Sequence, residues 1–471
     1  MKLSNPTKRR VRHLLFESCR RGRHEIVMTF RLGDLRLTKT YWYRDVDLSA
    51  LEEQFGAELM DRLSFQMMAL EAIPLVSLLP RTLDFGRFDR YRTGDFEKLW
   101  RTIVRKVGAQ WRYENNLPDY VGPAFCGRPS PNHPLPATIK HAPVEALIFN
   151  GGGKDSLVAM KLIERGGVSF STYAYSHPLY GDGQMQHKLI DDQLDESTPC
   201  LRHQMWIYDE KWESTLRDLQ DDLGIHGLIH AETPASIFGA LPVVLQNGYR
   251  YIVLANELSA DAGNLWWKRT GEHVNHQWGK SLEAELLLNE FIRREFISNV
   301  SYFSILKPIH DVLIFNLLTD DAGAVKNTHS CNIRKPWCGE CAKCAYVWVN
   351  YMAYLPSGTS GAIFEKNLFD TPQTQRWFGQ LLGLGAHKPF ECVGEISEVR
   401  LAFELCRRKG MTGQAMDLYK KEVPAPNIPN LLDRYLHVRH DLPSIPREVG
   451  HRVFPQMIKG ADKARQAILS M

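Results

Sequence analysis

The sequence predicts an α/β protein: a parallel sheet with helices on both faces, joined to an N-terminal α+β domain and a mainly helical C-terminal region. Two observations carry that expectation. Short apolar runs at Ala146–Phe149, Phe170–Tyr175, Met205–Tyr208 and Tyr251–Ala255 are separated by stretches long enough for crossover helices, and parallel strands need such crossovers. Ahead of them, residues 25–43 alternate apolar and polar at period two, the pattern of half-buried strands. The chain divides accordingly into an α+β domain over 1–115, a proline-rich linker over 116–143, a sheet domain over 144–355 and a helical region over 356–471.

With 471 residues and 44% hydrophobic content the chain can bury more than one core. Its formal net charge of +4 is small for this length, so nothing in it demands a nucleic-acid or membrane partner. The start, Met1–Arg10, is basic, but no sustained apolar segment follows. Neither a signal peptide nor a spanning helix is supported, and a cytoplasmic protein without membrane insertion is expected. Nothing in the composition sets an oligomeric state.

In chain order, Glu25–Leu32 and Leu35–Tyr43 flank Gly33-Asp34 and read as a hairpin. Its aromatic end, Tyr41-Trp42-Tyr43, reads as a core stripe rather than a ligand platform. Helical periodicity follows near Leu51–Leu75 and Asp95–Trp111. Prolines at 118, 123, 129, 131, 134, 136 and 143 then exclude a helix. Cys126, alone in this stretch, reads as packed rather than reactive.

The stretch Ala146-Leu147-Ile148-Phe149-Asn150-Gly151-Gly152-Gly153-Lys154-Asp155-Ser156 joins an apolar strand to a helix through three glycines. Glycines allow a sharp turn and bring backbone N–H groups against an anion, while the following helix N-terminus adds its partial positive charge. The spacing is neither G-x-x-x-x-G-K-[ST] nor G-x-G-x-x-G, so a P-loop or Rossmann assignment fails. An oligophosphate remains the natural occupant of Asn150, Gly151, Gly152, Gly153, Lys154, Asp155 and Ser156.

In open α/β sheets ligands collect at the carboxyl ends of strands. The run at 251–255 finishes in Asn256-Glu257 and continues to Gly263-Asn264, so Glu257 and Asn264 are candidate catalytic or substrate-orienting groups, or parts of a satisfied turn. A further polar loop, Gly271–Ser281, places His276 and Lys280 before a helix over Leu282–Phe296 that Ser281 can cap. Such groups exchange protons near neutrality when their surroundings tune them.

Four of nine cysteines, Cys331, Cys338, Cys341 and Cys344, form C-x6-C-x2-C-x2-C. This spacing can wrap a tetrahedral Zn²⁺, and an iron–sulfur cluster takes the same four thiolates. Zinc is preferred, and four thiolates leave no open coordination position, which argues for a structural metal. Downstream, an aromatic-rich helix over Ala345–Leu355 reads as core, and Ser397–Arg408 reads as a helix stopped by Gly410.

The loop Gly151–Ser156 resembles the S-G-G-x-D-S loop of the PP-loop ATP pyrophosphatase superfamily, with Gly151 standing where serine is usual and Asn150 as a substitute contact. Together with Asn256-Glu257, Ser259-Ala260, Gly263-Asn264, Val274–Gln277, Lys280-Ser281, the cysteine site and Pro389–Gly394, the chain from about 145 to 395 resembles the UDP-N-acetylmuramoyl-L-alanyl-L-glutamate epimerase family. The cysteine spacing is also similar to that of 7-cyano-7-deazaguanine synthase, another PP-loop enzyme.

The resemblance implies the adenine nucleotide α-hydrolase-like (PP-loop) form of the sheet. It implies ATP and Mg²⁺ as cofactors, a UDP-linked dipeptide as substrate, and inversion of its terminal L-glutamate with release of AMP and pyrophosphate. It implies that Gly151–Ser156 holds the β and γ phosphates, that Asp155 contacts Mg²⁺ and that Lys154 neutralises the leaving pyrophosphate. Glu257, His276 and Lys280 stand as acid/base or carboxylate-contacting candidates without assigned roles, and Glu391–Gly394 as a lid or a packed turn. The alternatives are a related enzyme adenylating another peptide, acyl or nucleobase substrate, and a non-catalytic nucleotide-binding scaffold.

Overall fold

The computed structural model describes residues 12–131, 134–209, 212–359, 361 and 363–471; the basic Met1–Arg10 start lies outside them. The strands are β1 (His13–Arg21), β2 (Glu25–Leu32), β3 (Leu35–Tyr43), β4 (Thr82–Asp84), β5 (Ala124–Phe125), β6 (Ala146–Phe149), β7 (Phe170–Ser176), β8 (Arg202–Asp209), β9 (Tyr251–Leu254), β10 (Leu265–Trp267), β11 (Glu272–Val274) and β12 (Ser301–Ser304). Ten of them make one mixed sheet in the order β12-β9-β6-β7-β8-β3-β2-β1-β4-β5, and β10 pairs with β11 alone.

The half from β12 to β8 is wholly parallel. Numbered by chain order within this half, its strands lie 5-4-1-2-3, the doubly wound order, with the switch point between β6 and β9. Alternation along each strand shows why both faces must be covered. Leu147 and Phe149 of β6, Ile252 and Leu254 of β9 and Tyr302 of β12 enter one apolar core; Ala146, Ile148, Tyr251, Val253 and Phe303 enter the other. Fully burying an aliphatic or aromatic side chain of this size contributes about 1.5–3 kcal/mol, so neither face tolerates water.

The helices that cover them are α1 (Ala57–Glu71), α2 (Gly94–Val107), α3 (Lys154–Arg165), α4 (Glu232–Asn247), α5 (Leu282–Glu295), α6 (Asp311–Leu317), α7 (Ala342–Tyr354), α8 (Ile396–Arg408) and α9 (Arg447–Leu469). The first core takes α1, α2, α4 and α5; the second takes α3 and α6–α9, so the C-terminal helices form the roof of one sheet face. Among the described residues no helix is long and apolar enough to cross a membrane.

The expected hairpin forms with the expected bounds, Gly33 turning at φ 60°. It does not stand apart, however. β3 pairs antiparallel with β8, Trp42 opposite Trp206 with ring centroids 5.1 Å apart, so the sheet crosses the boundary drawn at residue 115. An unpaired β8 would present an open row of backbone donors and acceptors, and β3 closes it. The helical stretch near 51–75 is interrupted at Gly56, whose φ of 86° ends one helix before α1 begins. Within the proline-rich segment Ala124–Phe125 pairs with β4, and Ala137 bridges to Ile297.

Candidate active site

The carboxyl ends of β6 and β9 open into a cavity of ≈ 480 Å³ at the switch point. The glycine loop makes one wall. As β6 ends, Asn150 Oδ1 accepts from Gly152 N (2.8 Å), and its buried Nδ2 has no partner among the described residues. Ser156 Oγ accepts from Gly151 N (3.2 Å). Gly153 is the N-cap of α3 and brings no side chain to it, leaving the first N–H groups of the helix uncapped beside the cavity. Two of the glycines have a packing reason as well. At Gly152, φ 75°, a Cβ would lie 2.1 Å from the His329 ring, and at Gly153 one would lie 2.9 Å from Ser330 Oγ.

Asp155 and Ser156 line the cavity, whereas Lys154 turns beneath the loop. Its Nζ donates to Asp155 Oδ1 and Asp311 Oδ1, each at 2.5 Å, and sits 4.5 Å from the centre of the Phe315 ring. Desolvation opposes this buried charge, but Asp155, Asp311 and Glu257 outweigh it and hold the ammonium above its ordinary pKa. Asp311 also accepts from Tyr346 OH (2.7 Å), while Ser259 Oγ accepts from Asp311 N (3.0 Å) and donates to Glu398 Oε1 (3.0 Å). Gly394 passes so close that a Cβ there would lie 2.4 Å from Tyr346 OH.

Past β9, Asn256 and Glu257 form the facing wall; Asn256 is buried with Nδ2 unpartnered among the described residues. Desolvation, with Asp311 and Asp155 close by, pushes the Glu257 carboxyl above the usual carboxylate range. Fully buried Lys307 fixes this wall: its Nζ donates to Glu257 O (2.8 Å), Lys280 O (2.8 Å) and Asp261 Oδ1 (2.9 Å). His276 and Lys280 both reach the cavity. His276 Nδ1 lies 2.6 Å from Gln110 Oε1, and desolvation lowers its pKa. For Lys280 desolvation is outweighed by Cys392, Glu257 and Asp155, which hold the ammonium above its ordinary pKa. Asn264, the other candidate past β9, points elsewhere: its Nδ2 donates to Pro389 O (2.7 Å) and its Oδ1 accepts from His276 N (2.9 Å), a positioning pair.

The four cysteines converge, all four Sγ atoms lying within 4.8 Å of one another. A Zn–S bond of about 2.3 Å implies a tetrahedral S···S edge of about 3.8 Å. Cys331–Cys341 measures 3.8 Å and Cys338–Cys344 3.7 Å. Backbone N–H groups of Ile333, Arg334, Glu340 and Cys344 point at the sulfurs, each at 3.4 Å, as donors to bound thiolates do. The donor set fits a closed structural metal site. Its loop delivers His329, Ser330, Asn332 and Lys335 to the cavity, and α7 adds Lys343.

The sequence singled out Glu257, His276, Lys280 and the glycine loop, and the structure brings them to one cavity. Asp311, Lys307 and His329 were missed. Asp311 and Lys307 follow β12, a strand with a serine at each end and only two apolar residues between, and His329 precedes the cysteines without a motif of its own.

Fold and cavity together define an open α/β protein with a ligand crevice at its topological switch point. Comparison with known proteins is more particular. Residues 235–305 match the family model described as the MurL N-terminal domain, and residues 325–426 that of the MurL C-terminal domain. The chain is 29% identical over 262 residues to a UDP-N-acetyl-alpha-D-muramoyl-L-alanyl-L-glutamate epimerase of Salinispora tropica, covering 54% of each chain. It is 28% identical over 314 residues to one of a Micromonospora species, covering 65% of this chain and 66% of that one. It is 29% identical over 271 residues to one of Xanthomonas oryzae pv. oryzae, covering 55% and 56%. The matched part thus spans between half and two thirds of each relative's length.

Proposed function

We propose that this chain is an epimerase of the family those relatives represent, built on the PP-loop ATP pyrophosphatase fold. In this reading it inverts Cα of the terminal L-glutamate of UDP-N-acetylmuramoyl-L-alanyl-L-glutamate with consumption of ATP. The observation that carries the reading is one cavity at the switch point that joins an uncapped glycine loop to Glu257, His276 and Lys280. Orphaned buried donors at Asn150 Nδ2 and Asn256 Nδ2, one on each side of the crevice, fit an oxygen-rich ligand such as a nucleotide phosphate chain.

ATP supplies activation: a free carboxylate makes the neighbouring Cα–H a very weak acid, and adenylation removes that negative charge. The uncapped N-terminus of α3 and Asn150 Nδ2 would hold the phosphates. Asp155 would hold Mg²⁺ with the oxygen that Lys154 leaves free. Lys154, enclosed between Asp155 and Asp311, orients that carboxylate rather than reaching the pyrophosphate itself. Glu257, His276 and Lys280, which line the same cavity, would contact the substrate carboxylate or serve as acid and base there. The cysteine cluster, taken as Zn²⁺-bound, holds the wall that carries Lys335 and Lys343.

Asp155→Asn tests the phosphate side. Pyrophosphate release is expected to fall at least ~100-fold with an unchanged circular dichroism spectrum and a lower urea midpoint, since Asp155 pairs with buried Lys154; retained turnover would contradict the assignment.

A further inference from the structure

The cavity contains a proton-carrying group that the candidate catalytic residues do not include. Cys392 lines it, on a segment over 389–394 that crosses from the end of the β10–β11 ribbon toward α8. Contacts from three other regions fix the segment. Asn264 Nδ2 donates to Pro389 O (2.7 Å), Asn332 Nδ2 to Glu391 Oε2 (2.9 Å), Gln277 Nε2 to Val393 O (3.1 Å), and Lys343 Nζ to Cys392 O. The sulfur itself accepts from Lys280 Nζ at 3.3 Å.

The space beside it is built for a polar ligand. Gln277 is 3% exposed and lines the cavity, and its Oε1 has no partner among the described residues even though its amide nitrogen is engaged. Asn256 Nδ2 across the cavity is likewise unpartnered. Glu257 comes from the end of β9 and Cys392 from the crossing segment; both line the cavity, and Lys280 lies close enough to interact with both. Inversion at a carbon needs two such groups, because one proton leaves from one side and another arrives from the other. His276 is less available, its Nδ1 being held against Gln110.

Building on the epimerase reading above, we propose that Cys392 and Glu257 are the two proton-transfer groups of the inversion, with Cys392 as base and Glu257 as acid. Cys392 Sγ, beside the Lys280 ammonium, takes the Cα proton once its own proton has passed to solvent. An S–H bond forms, the C–H bond breaks, and its electron pair moves onto the activated carbonyl as an enolate. The enolate then re-forms its carbonyl as Cα takes the Glu257 carboxyl proton on the other face, leaving a carboxylate. No oxidation or reduction occurs; water then adds to the activated carbonyl and breaks its bond to AMP, which leaves with the freed carboxylate, and exchange with solvent restores both groups. Glu257 is suited to the acid role because its surroundings favour the protonated form.

The test is turnover of the full chain in D₂O with ATP, Mg²⁺ and the UDP-linked dipeptide, for wild type, C392S and E257Q. AMP, D-glutamate and deuterium at Cα are read together. Wild type should give D-glutamate carrying solvent deuterium. C392S should still release AMP, which also reports an intact fold, while D-glutamate and deuterium uptake both fall at least ~100-fold. E257Q should still release AMP but lose inversion and deuterium uptake together, because the sulfur can only return to the same face the proton it took. Wild-type levels of D-glutamate from C392S would overturn the assignment, as would loss of AMP and of inversion in equal proportion. A wild-type chain that releases no AMP would overturn the epimerase reading, and this assignment with it.

Discussion

Lys154 and Lys280 stand on adjacent layers of the same site and are treated in opposite ways. Lys154, 1% exposed, is closed in by Asp155, Asp311 and the Phe315 ring, and the groups behind it continue the pairing through Tyr346, Ser259 and Glu398. Lys280 reaches open space and has a sulfur as its side-chain partner. A closed network of this kind holds a loop in place, since every buried charge is met and none is free to react. Charged and polar groups left half-met at a cavity are where a ligand has its say.

The largest change expected would remove the support of both layers. Stripping metal from the cysteine cluster, or Cys341→Ser, should unfold the wall that carries His329 through Lys343. The free energy at stake approaches the ~10 kcal/mol typical of structural zinc sites. Metal analysis together with thermal unfolding checks it, and a folded, metal-free, fully active chain would contradict it. Next, Asp311→Ala leaves the Lys154 ammonium under-compensated in the interior and should cost about 3–5 kcal/mol in urea unfolding. Gly152→Ala, forced to adopt φ 75° and to displace the His329 ring, should cost at least about 1–2 kcal/mol and weaken nucleotide binding in a titration.

Lys280→Met sharpens the contrast from the other side: turnover should drop at least ~100-fold with stability changed by less than about 1 kcal/mol. Equal stability losses for Asp311→Ala and Lys280→Met would erase the distinction between the layers. A further effect concerns pH. Burial, with Asp311 and Glu395 nearby, pushes the Glu398 carboxyl up from 4.5 to about 8. A group raised in this way favours the fold fully below its unfolded pKa, and that stabilisation is lost as pH climbs through about 8. Urea midpoints measured from pH 4 to 9 should therefore decline over this window in the wild type and decline less in Glu398→Gln.

Much of the sheet was legible because strands such as β6 and β9 are apolar on both faces, and because Gly33 and Gly248 mark real stops. β1 was hidden by a register shift between Phe16 and Ser18 that breaks its period of two, and β12 by the serines at both its ends. The joining of β3 to β8 could not be read, since nothing local says which edge a hairpin will choose. In the site, motif-bearing residues were found and their partners were not. Lys154 was expected to face phosphate, but Asp311, distant in sequence, draws it under the loop. Part of the reason for the glycines is also non-local, since His329 and Ser330 occupy the space a Cβ would need.

Coupling of nucleotide cleavage to inversion at a carbon within one cavity is checked by a single incubation. The chain is mixed with ATP, Mg²⁺ and UDP-N-acetylmuramoyl-L-alanyl-L-glutamate, and AMP, pyrophosphate and the chirality of the glutamate are measured in the same sample. Substrate-dependent AMP and pyrophosphate accompanied by D-glutamate is the predicted result. AMP without inversion, or no AMP at all, would contradict it.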